Sequence, residues 1–188
     1  MDTNFLTGDL VRLVTPETEQ AAACFARWSR DSEYLRFLDT DPARPLVEKW
    51  WKEDAEKREP RDNFFPFFIQ TIADNKLIGF IGFWFVMWNN ADTFVGIGIG
   101  EPEYRGKGYG TDAMRIMLRF AFHEINLHRV TLVVFAYNPR AIRSYEKAGF
   151  VLEGRERNVI MRDGERHDIY TMGILRSEWE KTQLKAKG

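Results

Sequence analysis

The sequence predicts a mixed α/β (α+β) fold, and three observations carry that expectation. Stretches rich in branched and aromatic residues alternate with segments of helical periodicity, in the order strand, two helices, three strands, helix, strand, helix, two strands. The dipeptides Asp74-Asn75 and Asp163-Gly164 fall between strand-like runs, where they suit tight hairpin turns. The 188 residues, 44% hydrophobic and 29% charged, match one globular domain able to bury a sizeable core, and two domains would be cramped. No internal repeat, low-complexity tract or linker divides residues 1–188.

Near the start, "DLVRLVT" alternates around Leu10, Val11, Leu13 and Val14 and reads as a strand ended by Thr15-Pro16. "PETEQAAACFARWSRD" reads as a helix, with Pro16 at an opening position and acidic residues where the helix dipole favours them. The proline-rich "LDTDPARPL" interrupts, and Val47 to Lys57 reads as a second helix. "FFPFFIQTIADNKLIGFIGFWFVMW" is a hairpin turning at Asp74-Asn75; its aromatic run reads as core and as a candidate homodimer surface. After Asn89-Asn90, "DTFVGIGIG" is another strand, and Gly96, Gly98 and Gly100 need a cause because glycine weakens a strand; a bulge or bend is one.

Ala113, Met114, Met117, Leu118, Ala121, Phe122 and Ile125 then recur at helical spacing. "HRVTLVVFA" reads as a buried strand. "NPRAIRSYEKAGF" is a compact helix, with Asn138 able to cap it, Pro139 at its first position and Gly149 able to end it. "NVIMRDGERHDIYTMGIL" is a last hairpin about Asp163-Gly164, and about 177–188 reads as a charged tail.

Lys and Arg number 27 against 28 Asp and Glu, so no global field recruits nucleic acid or an anionic membrane, and any anion site must be local. The single cysteine, Cys24, forms no internal disulfide or thiolate cluster and reads as a small core residue of the first helix. No stretch is long and apolar enough to span a bilayer, and the amino terminus lacks a charged start followed by an apolar run. A soluble, cytoplasmic protein is expected.

The stretch "EYRGKGYGTDAM" (Glu103 to Met114) packs Gly106, Gly108 and Gly110 beside Arg105 and Lys107 and then turns helical. Inward-pointing N–H groups of such a turn, together with the helix's unpaired N–H groups and positive dipole end, suit a pyrophosphate. A plain strand-to-helix turn with solvated cations is the other reading. A P-loop needs Ser or Thr after Gly-Lys, but Lys107 is followed by Gly108. The dinucleotide fingerprint fails on spacing and on the missing early acidic residue. "KGYG" matches the start of an RNA-recognition signature, but continues into a helix where that signature needs a strand.

Arg105-x-x-Gly108-x-Gly110, after a strand and opening a helix, resembles the acyl-CoA loop of the GNAT superfamily of N-acetyltransferases. "NLHRVTLVVFAYNPRAIRSYEKAGFVLEGRERNVIMRDGERHDIYTMGIL" resembles the branch holding ribosomal-protein alanine N-acetyltransferases and spermidine/spermine N-acetyltransferases, so the likeness covers nearly the whole chain. It implies the GNAT acyl-CoA N-acyltransferase fold: a central, mostly antiparallel mixed sheet flanked by helices, with a splayed strand pair holding the cofactor. It implies acetyl-CoA as cosubstrate, no metal, and transfer to a primary amine. By the same resemblance the main chain of Ile97, Gly98 and Ile99 meets the pantetheine arm and thioester. Arg105, Gly106, Lys107, Gly108, Tyr109, Gly110 and Thr111 cradle the pyrophosphate, and Asn138, Ala141, Ser144 and Tyr145 line the arm's channel.

The implied reaction is attack of a neutral amine on the thioester, with the Ile99 N–H stabilising the oxyanion and Tyr145 protonating the departing thiolate. Core packing explains Tyr145 as well, and capping explains Asn138 and Thr111. The general base stays open between His123, His128, His167 and a water chain to a carboxylate. Acceptor recognition falls to the last hairpin and to "SEYLRFLDTD", where Tyr34, Asp39 and Asp41 are candidate contacts and a polar turn is the alternative. A protein N-terminal α-amine is preferred to a polyamine or aminoglycoside because no acidic run lies beside the site. A CoA-binding module without turnover is the alternative of another class.

Overall fold

The computed structural model describes residues 4–57, 59 and 61–186, with no side-chain description for 185 and 186. The chain runs β1 (Val11–Val14), α1 (Thr18–Trp28), α2 (Ser32–Leu38), α3 (Glu48–Lys57), β2 (Phe65–Thr71), β3 (Leu77–Met87), β4 (Asp92–Ile99), α4 (Tyr109–Arg119), β5 (Arg129–Phe135), α5 (Pro139–Ala148), β6 (Val151–Arg162), β7 (Glu165–Leu175) and α6 (Arg176–Ala186). The strands form one seven-stranded sheet in the order β1-β2-β3-β4-β5-β7-β6, antiparallel throughout except for β4 against β5.

The hairpin turns lie where their residue types demand. Asn75 adopts φ 56°, and Asp163 and Gly164 adopt 51° and 81°, the left-handed pair that a twisted two-residue hairpin requires. Helix α5 is capped by Asn138, whose Oδ1 accepts the Ala141 N–H at 3.1 Å, and Gly149 ends it at φ 104°.

Two expectations need correction. Three helices, not two, follow β1: "SEYLRFL" is the short helix α2, begun when the Asp31 side chain accepts the Tyr34 N–H at 3.1 Å. Seven residues are too few for apolar periodicity to register, so the cap was the available signal. The charged tail is likewise helix α6, anchored by Trp179, which is 4% exposed and packs on Phe122 and His123. One buried ring holds a helix whose other described side chains, Leu184 apart, are polar; residues 187 and 188 lie outside the described residues. In addition, α4 stops at Arg119 and its apolar spacing continues through a wider helical turn, Phe120–Glu124.

The main core lies between the sheet and α4, with Ile69, Ile81, Phe83, Met114, Met117 and Val130 fully buried. A second cluster on the opposite face joins Cys24, Trp28, Tyr34, Leu77 and Phe80 beneath α1 and α2. Cys24 is the small core residue its alanine setting suggests.

Candidate active site

The site begins with a defect in the sheet. β4 and β5 pair over three positions, Asp92 with Arg129, Thr93 with Val130 and Phe94 with Thr131, and then diverge. On its other side β4 stays paired with β3 through Ile99 opposite Gly79. The Gly100 N–H bonds to the Ile78 carbonyl at 2.8 Å, which fixes the phase of that ladder. Gly98 and Gly96 therefore turn their polar groups toward β3, while Ile97 and Ile99 turn theirs to the side β5 has left. Gly98 thus differs from the expectation of three open main-chain residues, and its contribution is its bare Cα.

The alternating glycines have a steric cause on one face of β4. A Cβ on Gly96 would collide with the Trp84 indole and one on Gly100 with the Trp28 ring. A Cβ on Gly98 would come within 2.7 Å of the Tyr34 hydroxyl oxygen and 2.9 Å of Phe80. The intervening Ile97 and Ile99 side chains pack instead against the main core. The strand is glycine-rich chiefly so that aromatic rings can lie on it.

Past β4 the chain turns into the glycine loop. Gly106 and Gly108 hold φ of 74° and 92°, a region costly for residues with a Cβ, and α4 starts directly after Gly108 with no side-chain cap. Its first N–H groups are left for another acceptor. A Cβ on Gly110 would touch Ile97, Ile99 and Ser144 only at ordinary distances of 3.7–3.9 Å, so the absent side chain leaves room between α4, β4 and α5. Thr111 Oγ1 and Ser144 Oγ are 2.8 Å apart and bridge the first turn of α4 to the middle of α5. Tyr109 is half-buried with its ring edge-on to Tyr104.

Arg105 departs from its expected place in the cradle. Its Nη1 bonds to Asp31 Oδ2 at 2.7 Å, Nε to the Ile99 carbonyl at 2.9 Å and Nη2 to the Gly100 carbonyl at 2.7 Å. The guanidinium is thus neutralised and ties the end of β4 to the start of α2. Burial disfavours the Asp31 charge, but the Tyr34 N–H and Arg105 outweigh it and hold the carboxyl below the usual range. Lys107 is exposed and has no ion-pair partner among the described residues, so it is the cation the loop still offers.

Sequence reading missed further parts of the site. Arg115 on α4 and Arg140, Arg143 and Lys147 on α5 line the same cleft, brought together only by helix packing. Asp112, buried in the first turn of α4, accepts the N–H groups of Asp9, Leu10 and Val11 at 3.3, 2.8 and 3.0 Å. It pins the amino-terminal segment against the loop, and its only sequence signal was an acidic residue in a helix's first turn.

One cleft of about 1360 Å³ is lined from both faces of the sheet, by Ile97, Gly110, Ser144 and Tyr145 on one and by Tyr34 and Trp84 on the other. Asn138, Ala141 and Thr111 also line it. Tyr145 is half-buried against the main core, edge-on to Phe150, and no described residue hydrogen-bonds its hydroxyl. Burial pushes its phenol up to about 12.

Of the acceptor candidates, Tyr34 and Asp39 line the cleft and Asp41 lies outside its lining. The Arg162 guanidinium, from the last hairpin, donates to the carbonyls of Asp39, Thr40 and Asp41 at 2.9–3.2 Å, so hairpin and loop form one wall. His123, His128 and His167 are not among the lining residues; His123 packs on Trp179 and His167 on Tyr137. Among the described residues no three His, Cys, Asp or Glu gather as a metal site, and no helix is long and apolar enough to cross a membrane.

A split parallel pair, a glycine loop opening an uncapped helix and a cleft lined from both faces of the sheet make up the candidate site. Residues 11–151 match the model of the acetyltransferase (GNAT) domain, and the chain belongs to this family of N-acetyltransferases. It is 32% identical over 155 residues to the SPbeta prophage-derived uncharacterized N-acetyltransferase YokL of Bacillus subtilis, covering 81% of this chain and 84% of that protein. It is 28% identical over 155 residues to spermidine N(1)-acetyltransferase of Vibrio cholerae, covering 77% of this chain and 89% of that one. The crystal structure of the Vibrio cholerae spermidine N-acetyltransferase with CoA and spermine superposes with a TM-score of 0.76 at 22% identity, over 90% of this chain and 96% of that one.

Proposed function

We propose that this N-acetyltransferase moves an acetyl group from acetyl-CoA to a primary amine, with the N-terminal α-amine of a protein as its acceptor. The observation that carries the reading is the β4–β5 gap with the uncapped start of α4 at its side. The bare Gly106–Gly110 loop, the α4 N–H groups and Lys107 suit the pyrophosphate, and the Ile97 main chain suits the pantetheine amides. Arg105 serves by bracing this loop.

The neutral amine adds its lone pair to the thioester carbonyl carbon, and the Ile99 N–H faces the gap where the oxyanion develops. Such a donor lowers the barrier by about 3 kcal/mol. The C–S bond then breaks, the nitrogen releases one proton to water and the sulfur takes one up. With its phenol near 12, Tyr145 keeps its proton at neutral pH and is a weaker acid than a thiol, at ~8.5. Its main contribution is a hydrogen bond to the sulfur as charge develops, with the proton following as solvent replaces it.

The acceptor side favours a peptide over a polyamine: the rings of Tyr34, Phe37, Phe80 and Trp84 line its wall and outnumber the carboxylates Asp39 and Asp54 there. The likeness to a spermidine enzyme keeps the polyamine as the second reading. Thiol release from acetyl-CoA with short peptides of varied first residue, spermidine and aminoglycosides separates them. Release with peptides and a drop of roughly 100-fold in Tyr145→Phe is the expected result. Release only with spermidine would replace the acceptor, and saturable CoA binding with no release in any amine would leave a CoA-binding module.

A further inference from the structure

Three buried side-chain polar atoms among the described residues lack a hydrogen-bond partner: the Tyr34 hydroxyl, Trp51 Nε1 and Arg162 Nε. Tyr34 is the one that lies over β4. The residue is 7% exposed, and its oxygen sits 2.7 Å from where a Cβ of Gly98 would be, between the two residues whose main chain faces the gap. An unpaired buried hydroxyl is unfavourable by about 1–3 kcal/mol. The fold has no use for it, since the ring alone supplies the packing with Phe80 and the face presented to the Arg105 guanidinium, 5.3 Å from its centroid.

The placement is nevertheless firmly held. Asp31 accepts the Tyr34 N–H through one oxygen and the Arg105 Nη1 through the other, and Arg105 grips the carbonyls of Ile99 and Gly100. One carboxylate thus sets both the start of α2 and the end of β4, so the hydroxyl keeps its position relative to the Ile99 main chain. Tyr34 lines the cleft on the aromatic face, opposite to the face where Gly110, Ser144 and Tyr145 line the channel. Burial raises the phenol far above its ordinary value, so the group is a neutral hydroxyl at every working pH and serves by its lone pairs and dipole.

We propose that Tyr34 is a catalytic residue whose phenolic oxygen accepts a hydrogen bond from an N–H of the attacking amine and holds the nitrogen lone pair toward the acetyl carbonyl carbon. This rests on the acetyl-transfer reading above. As the N–C bond forms, the nitrogen becomes positive and the contact to the phenolic oxygen strengthens, so its benefit falls in the transition state. The carbonyl π pair moves to oxygen and returns as the C–S bond breaks. The nitrogen releases one proton to water, the sulfur gains one, and Tyr34 neither gains nor loses any.

Tyr34→Phe in the full chain tests this, because it removes the oxygen and keeps the ring. Amine kinetics, acetyl-CoA binding and melting temperature are measured with the acceptor that the panel identifies. The expected result is a fall of about 10–100-fold in kcat, equivalent to a hydrogen bond to a charged group. Acetyl-CoA affinity stays the same and the melting temperature is unchanged or higher, because an unpaired buried hydroxyl has gone. Full activity in a stabilised variant would overturn the role and leave acetyl transfer standing. Loss of stability together with acetyl-CoA binding would overturn it in favour of a part in folding. A wild-type chain that acetylates no amine would sink the acetyl-transfer reading itself, irrespective of the variant.

Discussion

Helices α4 and α5 pack together through Thr111 and Ser144, yet their starts are built in opposite ways. α5 completes its own first turn: Asn138 supplies an acceptor for the Ala141 N–H, and Pro139 has no N–H to satisfy. α4 does not. It follows a left-handed Gly108, carries no side-chain cap, and the carboxylate in its first turn, Asp112, reaches away to the amino-terminal segment. A helix start closed by its own side chain is a structural joint. One left open beside glycines, the exposed Lys107 and a gap in the sheet is suited to an anion.

The largest expected effect comes from closing α4 with charge. Gly110→Glu places a carboxylate where the pyrophosphate would lie, in space that accepts its Cβ. Two like charges about 4 Å apart at an effective dielectric of about 20 repel by roughly 4 kcal/mol. Acetyl-CoA binding by calorimetry should weaken by at least about 100-fold, while an acidic residue in a first helical turn should leave the melting temperature nearly unchanged. Unaltered binding would mean that the α4 start is a plain turn.

Opening α5 should give the converse. Asn138→Ala removes a cap contributing about 1 kcal/mol, and for a chain of this size should lower the melting temperature by about 2–4 °C. Acetyl-CoA affinity should change by less than the α4 variant changes it. A large loss of affinity with no loss of stability would show that Asn138 serves the ligand more than the helix.

The smallest effect concerns the clamp behind the loop. The Asp31 carboxyl is held below its ordinary value of about 3.9. Its contribution to stability is therefore complete above that pH and is lost as pH falls through the lower folded value. Asp31→Asn should lower stability at neutral pH and flatten the acid edge of the stability curve below about pH 4. Parallel curves for the two proteins would remove Asp31 from that edge.

The same division between closed and open features separates what could be read in the sequence from what could not. The α5 start, the Gly149 stop and the Asp163-Gly164 turn were legible because each is satisfied within a few residues. The glycine loop was legible as a candidate anion site because its glycines and cations lie together in one short string. Arg105 was misread, since its charge meets Asp31 at a sequence separation of 74. The GIGIG stripe was legible as an anomaly but not in its cause, because the rings above it come from Trp28, Tyr34, Phe80 and Trp84 on three other elements. Helix α6 looked like a tail because a single Trp179 anchors it.

By itself the sequence determined the order of the strands, the hairpin turns, the α5 cap and the family, because periodicity, turn chemistry and capping act over a few residues and a family motif is a local string. The tertiary structure decided which cations stay available, which face of β4 carries rings, and that Tyr34 lies unpaired over Gly98. Those outcomes depend on partners far apart in the chain, and only the packed sheet and helices set their distances.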